Sequence, residues 1–254
     1  HGHYPDAGYV AQQVAQVFGI PFVYTGHSLG RSKLRRLLEE GLSEAEVERK
    51  YRITRRIQAE EDILAAADLV LASTSQEVEE QYAQYEQRRR PVYRVIPPGL
   101  DVAKFYPYTH DAVGDGARDE AAVFAQASVL RELERFLMHP DKPLVLTLCR
   151  PDKRKNIAGL LKAFGADREL QSMANLAVFA GIRKDIAQME DNERDVLTEI
   201  LLLMDKYDLY GKLAIPKRHD FEYEVPALYR IAAQKGGVFV NPALTEPFGL
   251  TLIE

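Results

Sequence analysis

The chain closes with Asn241-Pro242-Ala243-Leu244-Thr245-Glu246-Pro247-Phe248-Gly249-Leu250-Thr251-Leu252-Ile253-Glu254. Residues 237–241 are apolar, β-branched or aromatic and predict a buried parallel strand, and the residues after Gly249 are typical of a helix. Glu246 then lies in a loop and Glu254 in the helix that follows. Because helix starts attract anions and carboxylates accept hydrogen bonds from hydroxyls, this order suits a ligand with phosphates and sugar hydroxyls. An ordinary loop followed by a solvated glutamate is an equally open alternative.

Strands and helices alternate along the whole sequence. Strands are predicted over residues 21–25, 68–72, 93–96, 144–149, 176–180, 213–215 and 237–241. Helices are predicted over 9–18, 43–67, 76–90, 123–138, 157–166, 185–207 and 225–234, with a turn-rich loop over 2–8. This alternation predicts an α/β fold with parallel sheets and right-handed crossovers.

The pattern breaks between two such regions. Residues 111–120 are polar and contain Gly114 and Gly116, which predicts a flexible insertion. We therefore predict one domain over residues 1–105, an insertion or linker over 106–142, and a second domain over 143–254.

Composition limits the classes of protein and partner. The 254 residues carry 46% hydrophobic and 28% charged residues and a net charge of −5, which favours a globular protein and gives no reason to expect nucleic acid. Cys149 is the single cysteine, so no internal disulfide can form, and no apolar run has membrane-spanning length. These features predict a cytoplasmic location without a membrane partner. The start at His1 and the helical end suggest a piece of a longer protein.

The loop of residues 26–31 follows a predicted strand and contains His27 between two glycines. In open α/β sheets, ligands bind at the carboxyl ends of strands, so His27 is a candidate site residue. A plain polar loop histidine is the alternative. Arg56 lies in a basic cluster on the next long helix and could clamp a phosphate through its planar donors. A solvated charged helix face explains such a cluster more often.

A second basic loop follows the strand 144–149. It reads Arg150-Pro151-Asp152-Lys153-Arg154-Lys155-Asn156 and precedes an amphipathic helix. The dipole at a helix start disfavours cations, so four basic residues there favour a diphosphate site over a solubilising turn.

The sequence resembles the retaining nucleotide-sugar glycosyltransferases of family 4, which have the GT-B fold, and within that family the sucrose-phosphate synthases. Seven ordered stretches carry the resemblance: residues 1–8, 25–31, 55–61, 95–99, 150–156, 205–211 and 246–254. The insertion over residues 109–137 is not covered. The resemblance implies two Rossmann-like doubly wound domains that face a cleft, both incomplete in this chain.

The resemblance also implies roles for individual residues. On the donor side, Arg150 and Lys155 would hold the diphosphate, Glu246 would contact the transferred glucose, and Glu254 would bind the ribose. Backbone amides around Phe248, Gly249 and Leu250 would meet the sugar and phosphate, and His27 would lie at the reacting glucose. The implied catalytic residues are His27, Arg150, Lys155 and Glu246. The implied acceptor-binding residues are Tyr4, Asp6, Lys33 and Arg56, with Lys33 and Arg56 on the acceptor's phosphate.

The implied reaction transfers glucose from UDP-glucose to fructose 6-phosphate with retention and gives sucrose 6-phosphate and UDP. Sucrose synthase and mannosylfructose-phosphate synthase are alternatives within the class, and a sugar-phosphate-binding regulatory protein is the non-enzymatic alternative. The six histidines are scattered and no Asp-x-Asp motif stands at a phosphate loop, so no metal site or cofactor is expected; activation by Mg²⁺ stays open. The sequence does not indicate an oligomeric state. We expect the 254 residues alone to be inactive, because family parts at both ends are missing.

Overall fold

The computed structural model describes residues 1–109, 120–244, 246 and 248–254. The described residues form two compact units, His1–Gly99 and Leu100–Glu254. Residues 111–119 of the expected insertion lie outside the described part. The predicted limits 1–105, 106–142 and 143–254 stay a prediction.

The first unit is built on a parallel sheet in the order β1-β2-β3-β4. Its strands are β1 (Gly2–His3), β2 (Val23–Thr25), β3 (Leu69–Ala72) and β4 (Val92–Val95). Its helices are α1 (Tyr4–Phe18), α2 (Gly30–Glu39), α3 (Glu44–Tyr51) and α4 (Ile53–Ala66). Tyr24 of β2, Val70 of β3 and Ile63 of α4 are fully buried in the same core, which joins the sheet to the helices.

The predicted loop over residues 2–8 is wrong, because strand β1 and the start of α1 occupy it. Gly2 pairs with Tyr24 of β2. A Cβ on Gly2 would lie 2.6 Å from the Cα of Gly8, so only a glycine lets the strand approach the helix this closely. The same glycines that indicate a turn in the sequence therefore serve close packing.

Two predicted helices of the first unit are interrupted. The helix predicted over 43–67 is two helices, α3 and α4, separated at Arg52 with φ 50°. The helix predicted to end at residue 90 is a π-helical turn, Glu77–Gln81, followed by the 3₁₀ turns Tyr82–Gln84 and Glu86–Arg89. The buried Tyr82 hydroxyl accepts a hydrogen bond from the Gly26 amide, and the buried Tyr85 hydroxyl donates to Glu60. These tertiary hydrogen bonds hold the irregular path. Helix α2 was not predicted.

The second unit is built on a parallel sheet in the order β7-β6-β5-β8. Its strands are β5 (Leu144–Cys149), β6 (Asn175–Ala180), β7 (Leu213–Ala214) and β8 (Val238–Phe239). Its helices are α5 (Glu120–Glu134), α6 (Ile157–Ala166), α7 (Arg168–Met173), α8 (Asp191–Lys206), α9 (Glu224–Gln234) and α10 (Leu250–Ile253). Buried side chains of β5 and β6 belong to two apolar cores. One core lies between the sheet and helices α5 and α9, and the other lies between the sheet and helices α6 and α8.

The strand order brings two distant loops together. Strands β5 and β8 are parallel neighbours, with Val145 opposite Val238, and the Val240 amide donates to the Leu146 carbonyl at 2.8 Å. The loop after β5 and the loop after β8 therefore leave the sheet at the same edge, where open α/β sheets bind ligands. Among the described residues, no helix is long and apolar enough to cross a membrane.

Candidate functional site

The basic loop after β5 is a short, well-capped turn. Lys153–Lys155 forms one 3₁₀ turn, and the Asp152 carboxylate accepts a hydrogen bond from the Arg154 amide at 2.9 Å. Asn156 adopts a left-handed conformation with φ 50° and leads directly into α6. Its side-chain amide donates to the Pro242 carbonyl at 3.2 Å, so the loop after β5 is fastened to the loop after β8.

Lys155 and Glu246 lie in contact although 91 positions separate them in the sequence. The Lys155 ammonium is 2.5 Å from Glu246 Oε2, and Asn241 Nδ2 donates to the same oxygen at 2.9 Å. Burial raises the pKa of Glu246, but the hydrogen bonds from Lys155 and Asn241 outweigh it, so the pKa lies below its usual value. The carboxylate is therefore ionised at neutral pH and is held in one orientation. Asn241 was not among the predicted site residues.

The four cations of the basic loop differ in their partners. Lys153 pairs with Asp195 at 3.1 Å, Arg154 pairs with Asp152 at 2.7 Å, and Lys155 pairs with Glu246. Arg150 is exposed, and its guanidinium makes no hydrogen bond or ion pair with any residue that the structure describes. Arg150 is thus the cation of this loop that is open to an anionic ligand.

The chain enters α10 through Gly249, whose φ is 82°. A Cβ at Gly249 would lie 3.3 Å from Glu246 Cγ and 3.1 Å from Leu252 Cδ1, so a side chain there would press on the candidate carboxylate. Gly249 is thus the N-cap of α10 and Leu250 its first residue, and the predicted role of the amides around Phe248, Gly249 and Leu250 stays a prediction.

Glu254 lies against a tyrosine that sequence reasoning missed. The Tyr229 hydroxyl is 3.1 Å from Glu254 Oε2 and 3.0 Å from the Thr251 carbonyl oxygen. Burial raises the pKa of Glu254, and the hydrogen bond from Tyr229 opposes this only in part. Tyr229 lies in α9 and approaches α10 through tertiary packing alone, so no local sequence signal could have identified it.

A cavity of about 1020 Å³ lies in the second unit, outside the predicted site. Arg183 is buried beside it and donates to the carbonyls of Ile215 and Pro216, both at 2.9 Å. These bonds fix the segment after β7, and Lys217 and Arg218 of that segment line the cavity.

In the first unit, three imidazoles and a phenol gather at the carboxyl ends of β1 and β2. His3 Nδ1 is 2.8 Å from His27 Nε2, and the Tyr4 ring lies 4.8 Å from the His27 ring. His1 instead contacts the Thr25 hydroxyl at 2.9 Å. Burial and the neighbouring His3 lower the pKa of His27, so its imidazole is neutral at neutral pH. His3 was not among the predicted site residues.

Arg56 and Lys33, the two cations of the first unit that were predicted to bind a phosphate, already contact other residues of that unit. Arg56 Nη2 donates to the Ser28 carbonyl at 2.5 Å and Nε donates to Glu60 at 3.0 Å, which leaves Nη1 without a hydrogen bond to the described residues. The Lys33 ammonium lies 4.1 Å from the centre of the Tyr51 ring. Burial, and then the charge of Arg56, lower the pKa of Lys33. Asp6 lies in the first turn of α1, two positions after Tyr4.

The structure thus brings Lys155 to Glu246, Tyr4 to His27, and Lys33 within electrostatic reach of Arg56. It records no direct contact of Arg150 with Glu246, or of Glu254 with Lys155, among the described residues. Over the same residues there is no group of three or more His, Cys, Asp or Glu side chains that could hold a metal ion.

No protein-family model matches the chain. It is 44% identical over 275 residues to probable sucrose-phosphate synthase 2 of Arabidopsis thaliana, a match that covers 100% of this chain and 26% of that protein. The solved sucrose-phosphate synthase of Thermosynechococcus elongatus is 27% identical, with a TM-score of 0.67 over 99% of this chain and 51% of that one. Anabaena HepE in complex with UDP and glucose is 14% identical, with a TM-score of 0.58 over 98% and 54% of the two chains.

The chain therefore spans about a quarter of the length of the curated relative that it matches. Over its full length it is homologous to a segment of the sucrose-phosphate synthases, which confirms the predicted resemblance. Its α/β fold with parallel sheets is that of the GT-B glycosyltransferases, as the sequence predicted.

Proposed function

We propose that this chain forms part of an enzyme that transfers glucose from UDP-glucose to fructose 6-phosphate with retention, giving sucrose 6-phosphate and UDP. The observation that carries the proposal is the contact of Lys155 with Glu246 next to the loop that bears the open Arg150. A cation for a diphosphate and a carboxylate for sugar hydroxyls meet there at one sheet edge. The 44% identity to a sucrose-phosphate synthase supports the choice of substrates.

On the donor side, Arg150 and Lys155 would neutralise the charge that develops on the departing diphosphate. An ammonium has three donors, so Lys155 can hold a phosphate oxygen without releasing Glu246. Glu246, ionised and oriented by Asn241, would accept hydrogen bonds from the glucose hydroxyls. Glu254 would accept from the ribose, and the amides around Phe248, Gly249 and Leu250 would meet the sugar and phosphate.

On the acceptor side, Arg56 and Lys33 would hold the phosphate of fructose 6-phosphate, with Tyr4 and Asp6 on the sugar. The free Nη1 of Arg56 supports this role, since its other two nitrogens are already bound within the unit. His27 is neutral at pH 7 and suits a hydrogen bond to a glucose hydroxyl better than an ion pair.

The reaction breaks the bond between glucose C1 and the phosphate oxygen and forms a bond from C1 to the fructose hydroxyl on the same face. The proton of that hydroxyl goes to the departing phosphate oxygen, which leaves as UDP. Glu246 is not assigned as a nucleophile in this scheme. Preorganised cations at the leaving group supply the largest share of the rate.

A donor and acceptor panel with the full-length protein tests the proposal. UDP-glucose with fructose 6-phosphate should give the fastest turnover, and NMR should show the retained configuration in sucrose 6-phosphate. Preference for unphosphorylated fructose would indicate a sucrose synthase, and preference for GDP-mannose a mannosylfructose-phosphate synthase. Binding of UDP without any transfer would favour the regulatory alternative.

The variant Arg150→Ala should lower kcat by about 100-fold, as loss of one preorganised charge-stabilising donor does elsewhere. Arg194→Ala is the matched control, because Arg194 is a half-exposed arginine of the same unit that pairs only with Asp191 in the described structure. It should stay within about twofold of the parent. Unchanged turnover in Arg150→Ala would remove the diphosphate role.

The cytoplasmic location expected from the single cysteine belongs to the same proposal. A tagged full-length protein found inside an organelle or outside the cell would contradict it.

A further inference from the structure

We propose that His3 is a positioning residue for His27, and that the hydrogen bond between their rings fixes the orientation in which His27 meets the sugar. The inference rests on the proposed function for its kinetic consequence. It names a residue for which the resemblance implied no role.

The geometry is specific to this pair of rings. His3 ends β1 and His27 follows the end of β2, and His3 lies opposite Thr25 in the sheet register. Their ring centres are 5.1 Å apart with an angle of 17° between the planes, and Nδ1 of His3 is 2.8 Å from Nε2 of His27. Tyr4 packs against the same imidazole at 4.8 Å. His27 is thus in contact with two neighbouring side chains.

The backbone also holds these rings in place. His27 has φ 54° and Tyr4 has φ 61°, both in the left-handed region that side chains other than glycine seldom adopt. Such conformations cost free energy, persist only where the surrounding structure imposes them, and cluster at active sites. The two positions therefore point to a locally constrained site rather than a mobile loop.

The hydrogen bond determines which atom of His27 is left for a ligand. Because a hydrogen bond between two ring nitrogens needs one donor and one acceptor, the bond couples the tautomers of the two rings. Nε2 of His27 is committed to His3, and Nδ1 of His27 makes no hydrogen bond with the described residues. We assign Nδ1 of His27 as the atom that faces the sugar.

Three substitutions of His3 in the full-length protein separate this role from simple packing. In His3→Asn the side-chain amide nitrogen can take nearly the place of Nδ1, since both atoms are bonded to Cγ. In His3→Gln the amide lies one bond further along and reaches the place of Nε2 instead. His3→Ala removes the polar group altogether.

We expect His3→Ala and His3→Gln to lower kcat by about 10-fold or more, because a misplaced group loses transition-state stabilisation. KM for fructose 6-phosphate and the affinity for UDP should change by less than about twofold, since neither contact involves the ring of His3. His3→Asn should recover most of the lost kcat. A purely structural role would not distinguish Asn from Gln.

His1→Asn is the matched control. The His1 ring lies 4.2 Å from that of His3, but its own hydrogen bond goes to Thr25. This variant alters the same cluster without touching the bond to His27, and its kcat should stay within about twofold of the parent. A loss in His1→Asn equal to that in His3→Ala would overturn the assignment.

A chemical measurement tests the bond without relying on turnover. Diethyl pyrocarbonate acylates neutral imidazoles mainly at Nε2, the atom of His27 that the bond to His3 occupies, and mass spectrometry reports the rate at His27. Modification should be several-fold faster in His3→Ala and His3→Gln than in the parent and His3→Asn, with matching thermal melting to show that each variant folds. Equal rates in all four proteins would overturn the inference. If the parent transfers no glucose, the proposed function fails, and the His27 modification rates still decide whether the bond exists.

Discussion

Glu60 is a fully buried carboxylate shared by several donors of the first unit. Its oxygens accept from the Gly30 amide at 2.8 and 3.1 Å, from Arg56 Nε at 3.0 Å and from the Tyr85 hydroxyl. It therefore caps the start of α2 and also fixes the arginine proposed for the acceptor's phosphate. Burial of this carboxyl group is tolerated because a backbone amide, a guanidinium and a hydroxyl all donate to it.

We expect Glu60→Ala to destabilise the protein by about 3–5 kcal/mol, because the variant leaves the buried Gly30 amide, the buried Tyr85 hydroxyl and Nε of the partly exposed Arg56 without their acceptor. The measurement is thermal and chemical unfolding of the full-length protein. Glu39→Ala is the control, since Glu39 is exposed at the end of α2, and it should cost less than about 0.5 kcal/mol. A similar midpoint for both variants would show that the Glu60 network is not needed for stability.

At the scale of elements, the break between α3 and α4 depends on the backbone of one residue. Arg52 adopts φ 50°, and Glu48 of α3 accepts from the Thr54 amide at 2.9 Å and from its hydroxyl at 2.7 Å. The end of one helix thus caps the start of the next. Arginine, which lacks the left-handed tolerance of glycine or asparagine, gives no sequence signal for this break.

Substitutions at Arg52 should follow backbone tolerance rather than helix propensity. Arg52→Gly relieves a left-handed cost of about 1–2 kcal/mol and adds about 0.5–1 kcal/mol of chain entropy, so it should be neutral or slightly stabilising. Arg52→Val should destabilise by about 1 kcal/mol more than Arg55→Val, the control inside α4, because a branched side chain strains this conformation further. Denaturant melts of the variants measure both. If Gly were the least stable variant, the left-handed backbone would not hold in solution.

An element can be predicted from the sequence when local residues determine it, and cannot when distant hydrogen-bond partners do. Strand β5 was predicted with its observed limits, because its apolar run is buried on both faces of the sheet. The irregular path from Glu77 to Arg89 was not predicted. The Tyr82 hydroxyl is bonded to a residue more than 50 positions away, and the Tyr85 hydroxyl to one more than 20 positions away. Local sequence patterns do not identify such distant hydrogen-bond partners.

At the scale of the whole chain, the sequence predicted an α/β fold of the GT-B type, and the comparisons confirm it. The loops that carry candidate chemistry could also be predicted, since they follow strands. The pairing of Lys155 with Glu246 could not be found from spacing, because it depends on β5 and β8 being neighbours. Tyr229 and His3 were missed for the same reason, because their partners Glu254 and His27 lie more than 20 positions away in the sequence. Asn241 lies only five positions from Glu246, and it was missed because the spacing alone does not show that the loop folds back on itself.

The pairing of three of the four loop cations has a kinetic consequence. A chain with net charge −5 repels an anion at long range, and an ion pair such as Lys155 with Glu246 adds almost no field beyond its own dimensions. If the proposed donor site binds a nucleotide, we expect Arg150 to supply most of the attraction during diffusion. In stopped-flow measurements at low salt, Arg150→Gln should slow UDP association by about 5-fold and flatten its dependence on ionic strength.

The double variant Lys155→Met with Glu246→Gln is the matched control, because it deletes a contact while leaving the net charge unchanged. It should speed dissociation of UDP and leave the association rate constant within about twofold of the parent. Slower association in this double variant than in Arg150→Gln would contradict the assignment. The association rate constant for the nucleotide would then depend on Arg150 and the dissociation rate constant on Lys155. A substitution in this short loop could therefore change one rate constant and leave the other unchanged.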